Sequence, residues 1–438
     1  MRLIRLLKND LKQEIHEWVN KKMISCEQAE SICTLYGMDY HDKQNNYAYS
    51  VLVILAYLFI GLAVITLLSA NWDEIPRALR MGGLITLTLS VNLWALYQYR
   101  QQQVDSAIGW FFLGSLFYGA SIMLIAQIYH LGEHFPDGIL WWTIGVLPLA
   151  IVLRSTVLLL LATILGFIWF FVEADLGFYP VLFPILLVAI ANFLRTSKEY
   201  YSLFIALVMG TTLWLEYSFA WWLNDGRGFH FNSEHLVLST GLFLLYHSIA
   251  KYLGQQKNIY WADYGAILSV WVLRFTLLAL LILSFDEPWE VLLSFNWQYP
   301  FILLAFASIF SLISIVISIL AQRQYYSTIV FALVYLILSS FILFVDTDKH
   351  HWAVILQIID NLILISTGIW LIIRGLQDNI SHYFFLGILA IMCTALLRYF
   401  NFIGDYIGAS ILFIVFAIIL LSAAKYWKLQ QNRNEVKI

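Results

Sequence analysis

Two carboxylates and two guanidiniums fall within one short stretch, Ala70-Asn71-Trp72-Asp73-Glu74-Ile75-Pro76-Arg77-Ala78-Leu79-Arg80. Asp73 and Glu74 are side chains suited to acid–base chemistry. Arg77 and Arg80, three apart, share a helical face and could hold a phosphate. The same segment has a plain structural use, because Asn71 or Asp73 can cap a helix and Pro76 suits its first turn. Five further ionisable residues, Glu216, His247, Arg274, Asp360 and Arg398, stand within or at the end of long apolar runs. A charge at bilayer depth costs at least about 2.5–3.5 kcal/mol on insertion scales, so each is expected to face protein and to have a partner. A substrate or ion pathway opening outward would satisfy that expectation. So would a buried ion pair, for instance Arg398 with Asp360 or Glu216. The neutral polar residues Asn92, Asn192, Gln357 and Asn361 fit either account.

Other chemistries lack their residues. Cys26, Cys33 and Cys393 make neither a disulfide framework nor a Cys–X–X–Cys pair, and read as small packing residues. His130 and His134 have His–X–X–X–His spacing, but no wider ligand constellation accompanies them and no metal is expected. With no nucleotide-binding glycine loop, no cofactor is expected and any transport would be ion-coupled or passive. Gly–X–Ser–X–Gly and His–Glu–X–X–His are both missing, which argues against intramembrane or metal-dependent proteolysis.

What positions these few ionisable groups is dictated by composition. Of 438 residues, 61% are hydrophobic and only 12% charged, and the mean hydropathy is +0.77. Soluble globular chains carry about 25% charged residues. Half that charge cannot clothe a water-exposed surface, so a soluble enzyme is excluded. A net charge of −3 offers no basic field for nucleic acid.

From Ser50 onward, apolar runs able to cross about 30 Å of hydrocarbon alternate with short polar breaks. They are 50–70, 81–98, 107–128, 139–153, 156–172, 178–194, 201–222, 235–250, 265–285, 301–321, 328–345, 353–373, 383–399 and 407–427. The expectation is an all-α polytopic transmembrane bundle of fourteen spans, or twelve to thirteen if short runs such as 139–153 and 235–250 do not cross. Ten-residue alternation is lacking, so a transmembrane β-barrel is excluded.

With fourteen spans and a cytoplasmic N-terminus, nineteen of the 25 Lys and Arg residues fall inside. Arg77, Arg80, Arg227, Lys349 and Arg398 fall outside and Arg274 lies within a span. Every inside loop is basic, as the positive-inside rule requires, and the outside loops 129–138, 173–177 and 286–300 carry no Lys or Arg. Both termini are expected in the cytoplasm.

The first 49 residues differ from the rest. Leu3, Leu6, Leu7, Leu11, Ile15 and Trp18 recur at helical spacing among charged residues. Ser25 with Gln28 has capping-box spacing for a second short helix ending near Gly37. No apolar region of signal-peptide length follows the basic start, so a cytosolic helix–turn–helix is expected rather than a cleaved leader. The organisation is therefore 1–49 cytosolic, 50–222 and 223–427 as two membrane halves, and 428–438 a cytosolic tail.

At this point the residues resemble the uncharacterised bacterial membrane-protein family known as domain of unknown function 2157. Trp18, Ile24, Ser25 and Tyr36 match its short soluble helix–turn–helix, and Ala70–Arg77 its A-N-W-D-E-I-P-R-like turn. Gln127–His130 match a Q-I-Y-H-like end of the third span. Leu147–Ala150 with Leu153–Ser155 match an L-P-L-A…L-R-S run. The resemblance covers roughly residues 10–155. Arg398-Tyr399-Phe400 and Gly404-Asp405-Tyr406 resemble the tail of related membrane proteins more loosely, and residues of about 200–380 carry no such likeness. It implies a bacterial cytoplasmic-membrane protein and brings no established activity, substrate or cofactor.

His130 and Asp405 complete the candidate pathway residues, with Arg77, Arg80, Glu216, His247, Arg274, Asp360 and Arg398. Asp73 and Glu74 remain the candidate catalytic pair. Transport of a lipid or small solute ranks first. A membrane-embedded transferase acting on a lipid-linked substrate would use Asp73 and Glu74 in the first external loop. A non-catalytic envelope assembly factor would dock a partner, and the resemblance implies a small membrane-anchored companion protein for that role.

Overall fold

A computed structural model describes residues 8–35, 40, 55–61, 76–129, 134, 136–196, 200–223, 232–321, 325–345, 349–377 and 381–402. All regular elements among them are helices. They fall into two compact units. The N-terminal unit holds α2 (Cys26–Leu35), α3 (55–61), α4 (Arg77–Arg100), α5 (Val104–Tyr129), α6 (Pro136–Val152), α7 (Thr156–Asp175), α8 (Phe183–Thr196) and α9 (Tyr201–Leu223). The C-terminal unit holds α1 (Lys8–Asn20), α10 (Glu234–Leu253), α11 (Ile259–Leu283), α12 (Asp286–Ser294), α13 (Pro300–Leu320), α14 (Tyr325–Phe344), α15 (Lys349–Gln377) and α16 (Ser381–Phe402).

Nine of these helices are long and apolar enough to cross a membrane: α4, α5, α7, α9, α10, α11, α13, α14 and α15. The helices at Pro136–Val152, Phe183–Thr196 and His382–Leu397 are apolar but shorter. The molecule is therefore an all-α, multi-pass membrane bundle. Each expected run from 81 to 399 coincides with a helix. The run expected at 235–250 is longer than its apolar core suggests, because Glu234 and Lys251 belong to α10 as well. The segment 286–300, expected as a plain loop, contains α12, whose Trp289, Leu292 and Leu293 are buried. The last expected span, 407–427, lies outside the described residues.

Local chemistry sets the helix ends. Ser25 and Gln28 form the anticipated capping box: the Ser25 amide donates to Gln28 Oε1 at 2.9 Å and the Gln28 amide to Ser25 Oγ at 3.2 Å. The L-R-S run proves to be a tight turn. Arg154 takes a left-handed φ of 49° after α6, and Ser155 Oγ accepts from the Leu158 amide to start α7. Asn258 caps α11 in the same way, its Oδ1 accepting from the Tyr260 amide at 3.0 Å.

Within the N-terminal unit α4 packs on α5, α6 on α7 and α8 on α9. Trp142 Nε1 donates to the Ser115 carbonyl at 2.8 Å, and its indole rests on Gly119, where a Cβ would stand 2.0 Å from the ring. In the C-terminal unit α10 packs on α11, α13 and α14, α12 on α15, and α15 on α16. Directions follow from four hydrogen bonds. Tyr335 of α14 donates to the Val237 carbonyl near the start of α10. Lys251, near the end of α10, donates to Ser327 and Thr328 at the start of α14. Ser318, near the end of α13, donates to Thr328. Hence α14 runs antiparallel to both α10 and α13, which are parallel to each other.

Candidate functional site

The described residues among those anticipated from sequence are divided between the two units. Arg77 is exposed in the first turn of α4 and Arg80 is half-buried one turn on, with Pro76 at the N-cap. Asp73, Glu74, His130 and Asp405 lie outside the described residues, as does the side chain of Arg398 on α16. Glu216 belongs to α9 of the N-terminal unit and is half-buried beside the buried Tyr217. Arg274 departs from the expectation that it faces the bundle interior. It is exposed on α11, with its guanidinium 5.5 Å from the centroid of the Trp271 ring, and a cation over an indole face recovers part of its lost hydration.

Asp360 does face protein. It sits in the middle of α15, 4% exposed, beside Gln357 and Asn361. Asn361 Nδ2 donates to the carbonyl of Ser284 at 3.0 Å and to that of Gln357 at 2.8 Å. Trp289 Nε1 donates to the Leu283 carbonyl at 2.6 Å. The last carbonyls of α11, left without helical partners as at any helix end, are thus taken up by side chains of α12 and α15.

A second polar set joins α10, α13 and α14. Lys251 Nζ donates to Ser327 Oγ at 2.8 Å and to Thr328 Oγ1 at 3.2 Å. Ser318 Oγ donates to the same Thr328 oxygen at 2.9 Å. One turn away His247 lies edge-on to Phe331, ring centroids 5.8 Å apart. Ser314 and Ser311 continue the buried face of α13. Farther along, the Tyr335 hydroxyl donates to the Val237 carbonyl at 2.7 Å. Glu234, 3% exposed, stands at the N-terminus of α10. Buried hydroxyl and carboxyl groups, with a half-buried imidazole and ammonium, therefore recur along one three-helix group.

The N-terminal unit carries a separate pair. His134 Nε2 meets Glu173 Oε2 at 2.5 Å, and the imidazole lies edge-on to Phe178 at 4.5 Å. Tyr217 donates to the Phe178 carbonyl at 3.0 Å, and the hydroxyls of Tyr179 and Ser218 are 2.7 Å apart. This pair ties the start of α6 to the end of α7. A cleft of about 390 Å³ in the same unit is lined by α4, α5 and α6, and Asn92 contributes a polar group to it. Among the described residues no group of three His, Cys, Asp or Glu side chains is arranged to hold a metal ion.

Residues 16–159 match the family described as "Predicted membrane protein (DUF2157)". The DUF2157 match ends within α7 and reaches neither Glu173 nor any residue of α10–α16. It includes the capping box, the α4 start and the Arg154 turn. No curated protein and no solved structure matches the chain.

Sequence reasoning singled out His247 and Asp360 as pathway residues, read Glu234 and Lys251 only as loop charges, and passed over the serines of α13. The signal was present. Ser311, Ser314 and Ser318 recur at i, i+3 and i+7 in an otherwise strongly apolar helix, which places them on one face. The His134–Glu173 pair had no such signal, because its members are far apart in sequence.

Proposed function

We propose that the chain is a multi-pass membrane transport protein that moves a lipid or small solute. The observation that carries this reading is Asp360, a carboxylate in the middle of a 29-residue helix and 4% exposed. Such a group is expensive at membrane depth, and α15 could close its contacts with an alanine or leucine at less cost. The buried polar groups of α10, α13 and α14 extend the same pattern to neighbouring helices.

The reading takes fourteen spans, both termini in the cytoplasm, a cytosolic α1–α2 segment and residence in a bacterial inner membrane. These finer features rest on the alternation of apolar runs and on the distribution of Lys and Arg. The test is reconstitution in liposomes with two readouts: accessibility of fluorescent lipids to an external quencher, and release of a panel of loaded small solutes. Wild-type protein is expected to move one of these classes and Asp360→Asn to abolish the movement. A wild-type protein that moves nothing above protein-free liposomes overturns the proposal. So does Asp360→Asn with undiminished activity.

A further inference from the structure

We infer that the α10–α13–α14 group of the C-terminal unit is a proton path, running from Glu234 to Lys251 through Ser311, Ser314 and His247. This deepens the transport reading by naming the proton as its coupling ion. Three other hydroxyls of these helices satisfy themselves by donating to the carbonyl four residues back. Ser308 does so to Leu304 at 2.8 Å, Ser248 to Leu244 at 3.1 Å and Thr240 to Leu236 at 2.7 Å.

Ser311 and Ser314 do not. They are 1% and 0% exposed, and neither Oγ has a hydrogen-bond partner among the described residues. The same holds for Nε2 of His247 and Oε2 of Glu234. A buried polar atom left in that condition costs about 1–3 kcal/mol. If Ser311 and Ser314 were there only to let helices approach closely, alanine would serve as well without the penalty. Four such atoms along one helix group point to a bound species small enough to reach all of them, and water is that species.

The chemical types fit proton transfer through such water. Glu234 can take a proton at one end. A serine hydroxyl can accept one hydrogen bond while donating another, so a proton can pass along it without leaving a charge behind. His247 can be protonated on one ring nitrogen and lose a proton from the other. At the far end Ser318, Thr328, Ser327 and Lys251 are already linked by hydrogen bonds. Thr328 Oγ1 accepts from both Lys251 and Ser318, so its own proton is directed elsewhere. Each transfer moves one proton from donor to acceptor oxygen or nitrogen, and no oxidant, reductant or leaving group is involved. Other ions fit less well, because Lys251 opposes a metal cation and Glu234 opposes an anion.

The test uses the full chain in liposomes containing a pH-sensitive dye, with a potassium gradient and valinomycin setting the voltage. Voltage-driven acidification is expected for wild type. It should fall at least tenfold in Glu234→Gln and in the double variant Ser311→Ala/Ser314→Ala. Thermal unfolding of the double variant controls for folding, and its midpoint is expected to be unchanged or raised, since two buried unsatisfied hydroxyls are removed. Wild-type liposomes as tight to protons as empty ones overturn the path even if lipid or solute moves, and the transport reading then stands without it. Conversely, proton flux with no lipid or solute movement supports the path and removes the broader reading. A double variant that conducts like wild type overturns the inference outright.

Discussion

At the scale of single residues, the buried polar groups of the C-terminal unit divide by whether their bonds are closed. Asn361 closes bonds through its amide nitrogen, although its Oδ1 has no partner among the described residues. Its Nδ2 spans α15 and the end of α11, reaching the carbonyls of Gln357 and Ser284. Removing it leaves the Ser284 carbonyl without that donor in a low-dielectric setting. Asn361→Ala is therefore expected to lower stability by about 1–3 kcal/mol, read as an earlier midpoint in detergent unfolding. Asn361→Asp should be no better, since it has an acceptor where a donor is needed. Ser311 and Ser314 are the opposite kind, and the sign of their replacement is correspondingly reversed. Which buried polar group a residue is cannot be told from its identity alone. Ser308 and Ser311 are the same residue on the same helix, and only the three-dimensional partners separate them.

At the scale of elements, glycine shows how packing decides sign. A Cβ on Gly387 of α16 would lie 2.5 Å from the Gly368 carbonyl oxygen of α15 and 3.0 Å from the Ile372 amide. Backbone cannot yield as a side chain can, so Gly387→Ala should force the two helices apart at a cost of about 1–3 kcal/mol. Gly82 of α4 has nothing within 4 Å of its Cβ position. There the same substitution should stabilise by about 0.5–1 kcal/mol, the ordinary helix preference for alanine over glycine. Comparing the two variants by thermal unfolding checks the contrast, and equal effects would show that α15 and α16 do not meet at this point.

Helix positions were readable in the sequence because membrane spans are long uniform runs, and the Ser25–Gln28 box because its chemistry is local. The α12 helix was hidden, since a short amphipathic turn of helix among Asp286, Glu287 and Pro288 resembles a polar loop. The exposure of Arg274 was hidden too. Hydropathy registers depth along a helix but not direction around it, and a span that is apolar on every side gives no face to read.

At the scale of the whole molecule, α12 decides how the second membrane half is counted. Its nine residues extend about 14 Å at 1.5 Å per residue, less than half of a 30 Å hydrocarbon layer. As a helix it is too short to return the chain to the opposite side, and α11 and α13 are expected to open on the same face at 284–299. His350 Nδ1 contacts Glu290 Oε1, tying the start of α15 to α12, so that end of α15 belongs to the same face. The turn 254–258 between α10 and α11 then lies on the other. Lys251 and Lys257 flank that turn, whereas 286–300 has no Lys or Arg, so under the proposed orientation the positive-inside rule predicts a cytoplasmic turn. Single cysteines at the exposed positions Gln255 and Asn296, introduced after replacing Cys26, Cys33 and Cys393, test this directly. In intact cells a membrane-impermeant maleimide should label Asn296→Cys and spare Gln255→Cys until the membrane is opened. Equal labelling of both would mean that α11 does not cross. Reversed labelling would invert the orientation and place Glu234 on the cytoplasmic side, so that the proton path would run in the opposite sense across the membrane.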